Sequence, residues 1–165
     1  YLKQQIAPYN TVQPASGSSN TIPKPTRPEP IYFFEISPEE SKKSHLTLPL
    51  LHKELTNEGY IDCSLPDFRK LFYNYDQKKP TVNPTPIIWN TGHYNKLAFL
   101  IKCLLKSFLI SHKSPSPYES ATHLFYDRKE GIFFTPHKNG YDFNLSPKGQ
   151  EKIKAIVNRS VESHI

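Results

Sequence analysis

Cysteine is scarce in this sequence. Cys63 and Cys103 stand 40 residues apart, with no CxxC and no Cys/His spacing suited to a metal. That excludes a disulfide framework and a zinc ribbon. Two lone thiols read instead as core or half-buried side chains, which suits a reducing cytoplasm. Long apolar runs are also missing. Leu97–Ile110 is interrupted by Lys102 and Lys106, too short and too charged to span a bilayer. No signal-peptide core is present, so a membrane partner is not expected. Methionine is absent and the chain begins at Tyr1, so it reads as a fragment with an upstream region expected.

The motifs of common catalytic sites are missing too. There is no GxSxG, SxxK, P-loop or GxGxxG. His45, His52, His93, His112, His123, His137 and His164 show no HxH, HExxH or facial-triad spacing, so no metal or cofactor is expected. Glu39-Glu40 and the pair Asp127 and Glu130 fall in polar segments, where nothing would tune them for acid–base work. An enzyme is the least supported class.

What is present is unevenly spread. Of 16 prolines, Pro8, Pro14, Pro23, Pro25, Pro28 and Pro30 precede the first strongly apolar cluster, beside Ser16, Gly17, Ser18 and Ser19. Such a composition cannot bury enough surface to offset ordering entropy, so residues 1–30 read as a flexible tail or linker. Residues 31–165 read as one domain, with a core over about 45–161. Charge is asymmetric as well. Residues 1–92 hold 10 Lys/Arg and 9 Asp/Glu, whereas residues 93–165 hold 11 and 6, which leaves the second half with +5 of the net +6. A basic half favours an anionic partner, nucleic acid above all.

The organising stretch runs from Ile87 to Ile110. An extended run with the only tryptophan, Trp89, breaks at Asn90-Thr91-Gly92 and leads into a helix. Leu97, Leu100, Ile101, Leu104, Leu105 and Phe108 fall on one apolar face, with Lys96, Phe99, Lys102, Cys103 and Lys106 opposite. Before it, Ile31–Ile36 reads as a docked strand or extended segment. A helix is expected from an N-cap at Thr47 to a stop at Gly59, with Leu48, Leu51 and Leu55 inward. Ser64-Leu65-Pro66-Asp67 opens another, with Leu65, Phe68, Leu71 and Phe72 inward. Residues 74–85, with Pro80 and Pro84, read as a loop.

After it, Ser116-Pro117-Tyr118-Glu119 starts a helix that should stop before Gly131. Ile132–Phe134 and Tyr141–Phe143 are expected to pair around an Asn139-Gly140 turn. Ser146-Pro147 caps a final helix with Ile153, Ile156 and Val157 on one face. No internal repeat is visible. The fold class expected is α+β, mainly helical.

Ile87-Ile88-Trp89, followed by Leu97-x-x-Leu100-Ile101-x-x-Leu104 and a second helix ending Leu124-Phe125, resembles the RteC-type regulators and related small proteins of Bacteroidetes mobile elements. The preceding order Leu51-x-x-x-Leu55, Gly59-Tyr60-Ile61, Phe68, Leu71-Phe72 is similar to theirs, so the resemblance covers about residues 48–126. Tyr141–Gly149 also resembles the strand-to-helix exit of winged-helix repressors. The resemblance implies a cytoplasmic, winged-helix-like DNA-binding regulator. The candidate nucleic-acid-binding residues are Lys102 and Lys106 on the central helix, Arg128 and Lys129 before the hairpin, Lys138 at its turn, and Lys148 and Lys152 on the last helix, where Lys154 also lies. Cations on rigid elements are what phosphate contacts require. The expected function is non-enzymatic DNA binding or regulation; the alternative is a protein-interaction module that does not bind nucleic acid. The oligomeric state is left open.

Overall fold

The computed structural model describes residues 32–74, 83–91, 94–112, 116–134 and 145–162. The expected tail, Lys138 and the Asn139-Gly140 turn lie outside the described residues. The elements are β1 (Phe34–Ile36), α1 (Ser44–Asn57), α2 (Leu65–Arg69), β2 (Phe72–Asn74), β3 (Ile87–Trp89), α3 (Tyr94–Lys106), α4 (Pro117–Leu124), β4 (Phe125–Asp127), β5 (Ile132–Phe133) and α5 (Pro147–Glu162). This is a mainly helical α+β arrangement, as the sequence pattern implies.

The same unit occurs twice. β1, α1, α2 and β2 are followed by β3, α3, α4 and β4 in the same order. In each unit the first and last strands pair in parallel, Phe34 with Phe72 and Ile87 with Phe125, both 38 residues apart. The short second helix has the same cap in both. Ser64 accepts from the Asp67 amide and Ser116 from the Glu119 amide, each cap contributing about 1 kcal/mol. Leu71-Phe72-Tyr73 and Leu124-Phe125-Tyr126 then run alike into the last strand. On the long helices, Leu48, Leu51 and Leu55 match Leu97, Leu100 and Leu104, all buried and all offset by 49 residues.

The exit from the long helix is also shared. Gly59 in the first unit and Phe108 in the second both have positive φ, +70° and +57°. Tyr60 then donates its amide to Leu55 and Leu109 to Leu104. The chain next crosses to the other unit. Ile61 bridges Trp89, and Ile110 bridges Ile36. The flanking bonds match, from the Asn90 amide to Tyr60 and from the Ser37 amide to Leu109. Each unit therefore completes the strand edge of the other, the reciprocal pattern of a two-fold relation. The expectation of no internal repeat is corrected here. Few residues are identical between the units, and their equivalence lies in pairing and backbone conformation.

One core joins the two units. Trp89 stacks on Tyr60 at 5.4 Å between ring centroids and meets Phe125 edge-on at 6.0 Å. Phe34 lies against both Phe72 and Phe125. Each large apolar side chain buried in this shared cluster contributes roughly 1.5–3 kcal/mol.

α5 stands outside the repeat and packs on both long helices, α1 and α3. It buries Ile153, Ile156 and Val157, as expected. It also changes the reading of α3. Phe99 and Cys103, assigned to the outer face, are buried at 5% and 8% exposure, so α3 is apolar on two sides.

Four boundaries differ from expectation. α1 starts at Ser44, a turn before Thr47, with Pro49 inside the helix. α3 ends at Lys106, and Phe108 turns outward at 62% exposure instead of joining the stripe. α4 ends at Leu124 and runs straight into β4. Finally, Ile132-Phe133 pairs antiparallel with β4, while the partner strand expected at Tyr141–Phe143 lies outside the described residues. The intervening turn is set by buried Asp127, whose Oδ1 accepts from the Lys129 and Glu130 amides at 2.7 and 3.0 Å. Gly131 closes the turn at φ +70°, a conformation that favours glycine.

Candidate anion-binding cleft

α3 and α5 diverge along one side to leave a cleft of about 330 Å³. From α3 and the residue after it the cleft is lined by Phe99, Lys102, Cys103, Lys106 and Ser107, and from α5 by Gln150, Lys154 and Asn158. Helical periodicity explains both sets. Lys102 and Lys106 are one turn apart on α3, while Gln150, Lys154 and Asn158 recur every fourth residue on α5. The adjoining α5 stripe, Ile153, Ile156 and Val157, is buried and holds the helix in place.

Among the described residues no carboxylate lines this cleft. Cys103 at its floor reports the local potential. Burial pushes the thiol up, while Lys154, then Lys106, then Lys102 pull it back down. All three ammonium groups thus act on one point. Ser107 adds a hydroxyl, whose proton goes to the Leu104 carbonyl. The chemistry on offer is that of an anion site, with cations and neutral amide and hydroxyl groups around an aromatic-edged groove.

The equivalent side of the first unit is electrostatically closed. Glu54 on α1 and Glu58 at its C-cap occupy the positions that match Cys103 on α3 and Ser107 just after it. Glu58 pairs with Lys152, holding that ammonium's pKa up, and Glu54 accepts from Arg159 Nε at 2.8 Å. The two faces of α5 therefore differ. One is neutralised by α1, and the other presents Lys154 to the lysines of α3.

Of the seven sequence candidates, the fold brings Lys102 and Lys106 together. Lys152 is on the other face of α5, paired with Glu58. Lys148 is exposed in the first turn of α5, outside the cleft lining. Arg128 and Lys129 lie exposed in the β4–β5 turn, with Arg128 3.8 Å from Asp62. Lys138 lies outside the described residues. Lys154 was legible on the last helix but not as a partner of α3, and Ser107, Gln150 and Asn158 went unnoticed. The four-residue spacing of Gln150, Lys154 and Asn158 was the available signal.

Among the described residues no group of three or more His, Cys, Asp or Glu side chains is placed to hold a metal ion. Likewise no described helix is long and apolar enough to cross a membrane. No protein-family model, curated protein or solved structure matches the chain.

Proposed function

We propose that this protein binds nucleic acid without catalysing a reaction, holding phosphate groups in the cleft between α3 and α5. The observation that carries this reading is the convergence of Lys102, Lys106 and Lys154 on a cleft whose described lining residues include no carboxylate. Cations on two packed helices keep their spacing, and a phosphate chain matches a row of them better than a single small anion does.

The test is binding of labelled DNA across a salt series. Each phosphate neutralised contributes about −0.9 to the slope of log K against log salt. Replacing Lys106 and Lys154 together by Gln should flatten the slope by about two units. Lys152→Gln, on the neutralised face, should change it little. No binding by the parent protein at low salt would sink the proposal and leave the protein-interaction module in its place.

The resemblance to RteC-type regulators narrows the reading to a cytoplasmic regulator of a mobile element. There a winged-helix mode on duplex DNA would use the β4–β5 turn as the wing. Arg128→Ala with Lys129→Ala should then remove about two further units of slope on duplex. An unchanged slope would confine binding to the cleft.

A further inference from the structure

Phe108 is the one described non-glycine residue with positive φ, at +57°, and its side chain is 62% exposed. Both features run against local energetics. A Cβ is disfavoured in the left-handed region, and an exposed phenylalanine leaves its ring in water. The first unit meets the same backbone requirement with Gly59, which has open space around it. The Phe108 conformation is held firmly. Its amide bonds to Leu105 O, and its carbonyl accepts from the Ser37 hydroxyl, reaching across from the first unit. Strained residues fixed by their surroundings cluster at binding sites.

Its position is the second observation. Phe108 directly follows Lys106 and Ser107 of the cleft lining, so its exposed side chain is carried one residue beyond that lining. We infer that Phe108 is a stacking platform for an unpaired base, and that the cleft takes single-stranded nucleic acid. The lysines would hold the backbone while the ring receives a base face, the combination by which single strands are bound with little sequence preference. A duplex keeps its base faces stacked internally and offers none to such a ring. This inference rests on the phosphate-binding role proposed above.

The test compares three probes at one salt concentration: a labelled single-stranded oligonucleotide, the duplex of the same sequence, and inorganic polyphosphate. Phe108→Gly suits the backbone and should not lower the unfolding temperature. It should weaken single-strand binding by about 5- to 150-fold, the equivalent of 1–3 kcal/mol per stacked base. Polyphosphate binding should be unchanged, and Phe108→Trp should bind the single strand at least as well as the parent. If Phe108→Gly binds the single strand like the parent, or the parent prefers duplex, stacking is overturned while the lysine cleft stands. If the parent binds none of the three probes, the phosphate-binding reading falls and this inference falls with it.

Discussion

The two units of this protein share a frame and differ in charge where their long helices meet α5. In the first, α1 and its C-cap offer Glu54 and Glu58 and neutralise Arg159 and Lys152. In the second, α3 and the residue after it offer Cys103 and Ser107 at the matching positions, and Lys106 where α1 has Asn57. The left-handed exit carries Gly59 in one and exposed Phe108 in the other. The buried leucines that build the frame are the same. The difference teaches that one copy closes on α5 as structure, while the other leaves a basic cleft and, one residue beyond its lining, an exposed aromatic side chain.

The comparison breaks most visibly if the shared frame is not equally important in both copies. Leu55 and Leu104 occupy equivalent, buried positions. Leu55→Ala and Leu104→Ala should each lower stability by about 2–5 kcal/mol, read from urea unfolding midpoints. A midpoint unmoved by one of them would show that its unit does not carry the core.

Transplanting charge sharpens the contrast. Ser107→Glu places in the second unit the carboxylate that Glu58 supplies in the first, close to the lysines of the cleft. Salt titration of DNA binding should then lose about one unit of slope. Binding as strong and as salt-dependent as the parent's would mean that the cleft is not where phosphate sits.

The thiols give a pH test with opposite signs in the two units. Burial pushes both up. Cys63 reaches about 11, with Asp67 and Asp62 raising it further, whereas Cys103 is pulled back by three lysines. The thiolate is the nucleophile, so alkylation of each should accelerate only as pH rises toward its pKa. Lys154→Gln removes a cation that favours the thiolate, so the Cys103 profile should move to higher pH. Asp67→Asn removes an anion that disfavours it, so the Cys63 profile should move to lower pH. Profiles that move the same way would refute the opposed fields.

The smallest effect belongs to the neutralising pairs. Arg159 is about half exposed, its side chain at 54%, so Glu54→Gln should cost no more than about 1 kcal/mol. A larger loss in the unfolding midpoint would mean that the α1–α5 contact depends on charge rather than on Ile153, Ile156 and Val157.

The sequence by itself determined the features that depend on neighbours within a turn or two. The serine caps at Ser64 and Ser116, the glycine stop at Gly59, and the buried stripes of α1 and α5 follow from local hydrogen bonding and helical period. Lys102 and Lys106 were legible as a pair for the same reason.

Only the tertiary structure decided the rest. Parallel pairing across 38 residues leaves no local mark, so the repeat stayed hidden behind differing side chains. The period of α3 continued on paper through Phe108, but a left-handed residue reverses the chain there and turns the ring outward. Charge was the least legible of all. A sequence gives its sum, whereas a lysine's part depends on which helix faces it. Lys152 and Lys154 are two residues apart on α5, so they point to different sides. The first meets Glu58 across the α1 interface, and the second faces the lysines of α3.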